Sequence, residues 1–179
     1  QNGSGKTTLL KHLNGLLKPA AGEVVLGQMP LHQYPEREVF QKIGMVFQDP
    51  NDQLFAPSVW DDVAFGPMNL GLPKNEVAQR VEEALSLVEM RSHTDKAVDA
   101  LSFGQKKRVC IAGVLAMKPE VLVLDEPTCG LDPAGVTSIM MLLKDLNKQH
   151  GITVIMATNA VDLAPVYMDR LAIMHQGSV

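Results

Sequence analysis

Basic charge, closely spaced cysteines and long hydrophobic runs are all scarce in this chain of 179 residues. Lysine and arginine total 16 against 20 Asp and Glu, which leaves a net charge of -4 and a pI of about 5.7. A surface that grips nucleic acid gathers cations to neutralise phosphates, and no basic arm is present, so no nucleic-acid partner is expected. The two cysteines, Cys110 and Cys129, are too far apart for a C-x-x-C metal or redox motif and read as reduced, packed thiols of a cytosolic protein. The longest uninterrupted apolar runs, 109–117 and 139–143, fall far below the ~20 residues that span a bilayer. Work at a membrane therefore requires a partner. The five histidines, with Asp49 and Asp52, show no ligand spacing that would place a transition metal on the chain.

What is present suffices for one domain with a substantial core, 46% of the residues being hydrophobic. Apolar spacing predicts helices over 7–17, 59–65, 74–88, 106–117, 134–149 and near 161–167. Short apolar runs predict strands over 23–26, 43–47, 121–124, 153–157 and 170–174, while 28–35 reads as loop and Gly66-Pro67 as a break. Strand and helix alternate, so the expected class is α/β with a largely parallel sheet.

The opening Gln1-Asn2-Gly3-Ser4-Gly5-Lys6-Thr7-Thr8 carries the last positions of the phosphate-binding loop G-x-x-x-x-G-K-[ST], and the chain is expected to start inside that motif. Glycines let backbone N–H groups curl round an anion, and the following helix aims its positive end there. Lys6 would place charge on the β- and γ-phosphates, and the Thr7 hydroxyl would ligate Mg²⁺. A bound nucleoside triphosphate is the expectation. Asp125 and Glu126 end the hydrophobic run 121–124, where ligands collect in open α/β sheets. Alone, Asp-Glu-Pro is a charged turn; below a phosphate loop it reads as a Mg²⁺ carboxylate beside a general base.

Leu101-Ser102-Phe103-Gly104-Gln105, with Gln48, Asp125-Glu126-Pro127-Thr128 and Gly130-Leu131-Asp132, resembles the nucleotide-binding domain of ATP-binding-cassette (ABC) transporters along essentially the whole chain. The resemblance implies a P-loop NTPase fold spanning 1–179, truncated at both ends, with a helical signature subdomain at approximately 55–110. It implies ATP and Mg²⁺ as cofactors. Walker A would bind phosphate through Asn2, Gly3, Ser4, Gly5, Lys6, Thr7 and Thr8. Thr7, Gln48 and Asp125 would hold the metal. Glu126 would be the base, with Lys6, Gln48 and the switch position Asn159 completing the catalytic set.

The same resemblance implies a second ABC ATPase subunit, identical or not, whose phosphate loop faces Ser102, Gly104, Gln105 and Asp132 of this one. Phe47 to Phe55, Asp62 to Pro67 and Lys106-Lys107-Arg108-Val109 further resemble energy-coupling-factor importer ATPases of the cobalt/nickel type. That implies a peripheral protein on the cytoplasmic face of the membrane. Its partners would be a transmembrane coupling protein docked beside the Q-loop and a substrate-binding membrane subunit. Alternatives are a nucleotide-gated dimerisation module with impaired hydrolysis and a soluble ABC ATPase acting on ribosomes or DNA.

Two positions depart from the family pattern. Phe103 replaces a signature glycine, which is tolerable if its φ is negative and its ring points away from the phosphate. Asn159 replaces a histidine and cannot carry positive charge. Loss of one transition-state donor predicts turnover lower by ~10² to 10³-fold with binding retained.

Overall fold

A computed structural model describes residues 3–179. Three parallel strands form the central sheet in the order β3-β4-β5: β3 Ile43–Val46, β4 Val121–Asp125 and β5 Thr153–Ala157. Ile43 pairs with Val121, and Val121 in turn with Thr153, so all three strands end at one edge of the sheet. A small antiparallel hairpin, β1 Val25–Leu26 with β2 Met29–Pro30, turns at Gly27 and Gln28, where the φ of 62° suits glycine.

Alternation along β4 builds two cores, because successive side chains of a strand point to opposite faces. Val121 and Val123 pack in a cluster with Leu10 of α1 (Lys6–Leu13) and Val39 of α2 (Glu36–Lys42). Leu122 and Leu124 pack in the larger cluster on the other face. There they join Ile111 and Val114 of α5 (Phe103–Leu115) and Ile139 and Leu143 of α6 (Pro133–Lys148). That cluster continues through Val59 and Val63 of α3 (Val59–Asn69) and Val77, Val81 and Leu85 of α4 (Lys74–Leu87). A four-residue α7 (Ala164–Tyr167) follows β5.

The helices and strands differ from the sequence expectation where local chemistry overrides periodicity. The helix expected over 7–17 ends at Leu13, because Asn14 is buried with its amide on the Met45 sulfur and Gly15 turns the chain at φ 80°. The expected break at Gly66-Pro67 is absent, and α3 runs through Pro67 to Asn69. Gly66 lets α3 sit against Met117, which a Cβ would meet at 2.8 Å. The strand expected over 23–26 shortens to two residues, and the 28–35 loop holds β2 and a 3₁₀ turn at Leu31–Gln33. α2 was not legible in the sequence pattern. The strand expected over 170–174 does not form. A strand needs a neighbour's ladder, and no residue of 170–174 pairs; just beyond it His175 makes a single bridge to Ser178.

Candidate nucleotide site

Four loops converge on a cleft of about 970 Å³ at the carboxyl edge of the sheet. The first is the turn into α1. Gly3 and Gly5 have φ of 73° and 95°, a region costly for residues with a Cβ. They expose backbone around the start of α1, whose first turn contains no acidic side chain to compete for an anion. Gly3, Ser4, Gly5, Lys6, Thr7 and Thr8 all line the cleft, while Asn2 lies outside the described residues.

The strands of the sheet then deliver four groups, β4 supplying two of them. Gln48 lies two residues beyond β3 and donates from Nε2 to the Cys129 sulfur at 3.8 Å. Asp125 is the last residue of β4, is buried, and its Oδ2 accepts the Thr7 hydroxyl at 2.6 Å. Glu126 follows with a left-handed φ of 44°, a strained conformation for a side-chain-bearing residue. Its N–H donates to the Ala157 carbonyl at 2.9 Å, and its Oε2 accepts the Asn159 N–H at 3.2 Å. Its Oε1 is buried and accepts no hydrogen bond from any described residue. Asn159, two residues beyond β5, accepts the Lys6 ammonium on Oδ1 at 3.0 Å.

Ser102, Gly104, Gln105 and Asp132 are not among the residues lining this cleft, although Leu131 and Pro133 on either side of Asp132 are, and Gly104 lies against Leu131. Ser102 caps α5 in a reciprocal box: its hydroxyl accepts the Gln105 N–H at 3.3 Å, and Gln105 Oε1 accepts the Ser102 N–H at 3.0 Å. Asp132 caps α6 by accepting the Gly135 N–H at 2.9 Å. The Phe103 ring packs over Gly130, where a Cβ would lie 2.8 Å from it, so ring and loop fit only because that residue is glycine.

Sequence reading gave no site role to Cys129 and Asp162, which line the cleft and carry no motif signal of their own. It also gave no individual role to Lys107, which entered only through the resemblance of the Lys106-Lys107-Arg108-Val109 run and is 2% exposed. Its spacing with the buried Cys110, Ile111 and Val114 puts it on the inner stripe of α5, a signal that was available. Burial pushes its ammonium below the usual lysine range, against nearby thiols and carboxylates that act the other way.

The residues present fit Mg²⁺. A threonine hydroxyl, a carboxylate in contact with it and a glutamine amide are hard oxygen donors, and this ion takes few protein ligands beside substrate phosphates. Among the described residues no cluster of three or more His, Cys, Asp and Glu offers a softer metal site.

Comparison with known proteins agrees with this geometry. Residues 1–129 match the ABC transporter family. The chain is 55% identical over 181 aligned positions to an energy-coupling factor transporter ATP-binding protein, EcfA, of Methanocaldococcus jannaschii, covering 99% of this chain and 64% of that protein. It is 48% identical to EcfA3 of Clostridium perfringens, covering 99% and 63%. This chain thus spans just under two thirds of the length of such relatives. Among solved structures, cbiO1 of Clostridium perfringens, part of the ABC transporter complex cbiONQ, superposes with a TM-score of 0.91 at 47% identity, covering 99% of this chain and 71% of that one. A dimeric cassette, MJ0796, bound to ADP and Pi, superposes with a TM-score of 0.85 at 30% identity, covering 99% and 79%. A phosphate loop, a carboxylate pair at a strand end and a P-loop fold thus coincide with matched sequence: the chain belongs to the ABC transporter family, as its ATP-binding domain.

Proposed function

We propose that this chain is the ATP-binding and ATP-hydrolysing part of an energy-coupling-factor importer. It would be peripheral on the cytoplasmic face of the membrane, with cobalt or nickel as the cargo class. The observation that carries the reading is the convergence of Lys6, Thr7, Asp125 and Glu126 on one cleft. The cargo class rests on the sequence resemblance of residues 47–55 and 62–67, and no cargo site is assigned to this chain.

Within that cleft the roles follow from the chemistry of each group. The loop amides and Lys6 hold phosphate oxygens, and Thr7, Asp125 and Gln48 would hold Mg²⁺, which supplies charge neutralisation on the phosphates. Glu126, whose Oε1 has no hydrogen-bond partner among the described residues, would orient a water and take its proton. Ser102, Gly104, Gln105 and Asp132 serve a second ATPase subunit, identical or different, across a shared nucleotide. Helices α3 to α5 form the helical subdomain, at approximately residues 55–110.

The decisive experiment uses the full-length protein and Glu126→Gln. The variant is expected to bind Mg-ATP within about threefold of the parent while hydrolysis falls by at least a hundredfold. Hydrolysis at the parent rate would remove Glu126 from the role of base.

A second reading, a nucleotide-gated dimerisation module with slow turnover, is favoured by one contact. Asn159 offers its carbonyl oxygen to Lys6, so that atom meets the phosphate loop as an acceptor. A histidine cation at that position would instead donate to phosphate.

A further inference from the structure

Lysine is almost never fully buried, since its ammonium must find partners that replace water. Lys107 does so at the junction of three site-bearing segments. Its ammonium donates to the Gln48 carbonyl at 2.9 Å and to the Glu126 carbonyl at 3.2 Å, and it lies 5.4 Å from the centre of the Phe103 ring. The Glu126 carbonyl also accepts the Cys129 N–H at 3.1 Å, which closes the turn that follows β4. Glu126 is thereby held at each of its backbone polar groups: its N–H by the end of β5, its carbonyl by Lys107 and Cys129. Left-handed residues with side chains persist only when their surroundings over-determine them, and Lys107 is the side chain that does this from the helical layer.

We propose that Lys107 is a positioning residue for Glu126. By binding the two carbonyls with one ammonium it fixes the carboxylate-bearing turn against the Gln48 loop, and it roots both in the signature helix. The proposal rests on the reading of Glu126 as the base. A lysine that merely filled space would be replaceable by any side chain of its length, whereas this role needs N–H donors.

The test compares Lys107→Met and Lys107→Gln in the full-length protein. Methionine and glutamine both end one bond short of the lysine nitrogen; methionine keeps the flexible apolar stem and removes all donors, whereas glutamine keeps two donors. Expected for Lys107→Met is a kcat for ATP hydrolysis at least tenfold lower with KM within about threefold. Faster hydrogen exchange at the Cys129 amide, measured without nucleotide, should accompany it. Expected for Lys107→Gln is recovery of kcat to within about threefold of the parent and of most of the amide protection. Unchanged Cys129 exchange in Lys107→Met would overturn the proposal, as would a kcat within twofold of the parent. If Lys107→Met does not fold, Lys107→Gln decides: a folded variant with kcat more than tenfold lower overturns it, and one within threefold upholds it. Failure of the underlying reading looks different, because Glu126→Gln would then retain hydrolysis whatever the exchange at Cys129.

Discussion

Asn159 is where a single side chain sets the expected balance between holding ATP and hydrolysing it. Its backbone N–H steadies Glu126, a contact any residue could make, but its carboxamide is bound to Lys6 through oxygen. Asn159→His would retain the backbone contact and add a longer donor able to carry positive charge toward phosphate, so kcat is expected to rise by at least tenfold with little change in ATP affinity. The ceiling is ~10³-fold, the worth of one transition-state donor. Steady-state hydrolysis by the two full-length proteins decides this, and rates within twofold of each other would refute it. Residue-level chemistry of this kind was largely legible in the sequence. Lys6, Thr7, Asp125, Glu126, Gln48 and Asn159 belong to short motifs, and the fold draws all of them to one cleft. Lys107 entered only through a run resemblance, and its burial becomes visible when helix phase places it in line with Cys110, Ile111 and Val114. The left-handed φ of Glu126 had no sequence signal at all.

At the scale of elements, long buried segments were legible and short or conditional ones were not. Strand β5 spans the residues its apolar run predicts, and α4 and α6 lie within a residue of theirs. Misreadings occurred at Pro67, where packing of α3 outweighs one lost backbone donor, and at 170–174, where a strand-like run has no strand to pair with. Helix α5 shows how such an element responds to pH. Its Cys110 thiol, 1% exposed, is pushed up to about 12 by burial first and by Asp62 second. An unfolded thiol ionises near 9, so between the two values only the unfolded chain releases this proton. Stability from the neutral buried thiol is therefore complete below pH 9 and is lost as pH rises toward 12. By pH 10.5 the loss should reach about 2 kcal/mol. Cys110→Ala removes the titrating group, while lysines, tyrosines and Cys129 remain in both proteins. The difference in urea midpoint between parent and variant is expected to narrow from pH 8.5 to 10.5. A constant difference would mean that the thiol is not protected from ionising.

At the scale of the whole molecule, the chain lacks any described helix long and apolar enough to cross a membrane, yet it presents an exposed apolar patch. Phe55 and Phe65 are 65% and 47% exposed, and their rings meet edge to face with centroids 4.7 Å apart. Met68, 59% exposed, lies one helical turn further along α3. Clustered exposed aromatics mark contact surfaces more often than scattered single residues do. The loop bearing Phe55 continues from Gln48, and Asp62 fixes it by accepting the Phe55 and Ala56 N–H groups at 3.0 Å each. Under the proposed function this patch receives an apolar cytoplasmic helix of the transmembrane coupling protein, and the loop links that contact to the nucleotide. Phe55→Ser with Phe65→Ser should leave Mg-ATP affinity within twofold, because neither ring lines the cleft. Co-purification with the coupling protein is expected to fall at least tenfold, and so is any stimulation of hydrolysis by that partner. Asp62→Asn is expected to weaken coupling more mildly, since it keeps an oxygen acceptor but loses the charge that strengthens both backbone contacts. Retention of the partner by the double variant would move the docking surface elsewhere on the molecule and leave the paired rings without a role in transport.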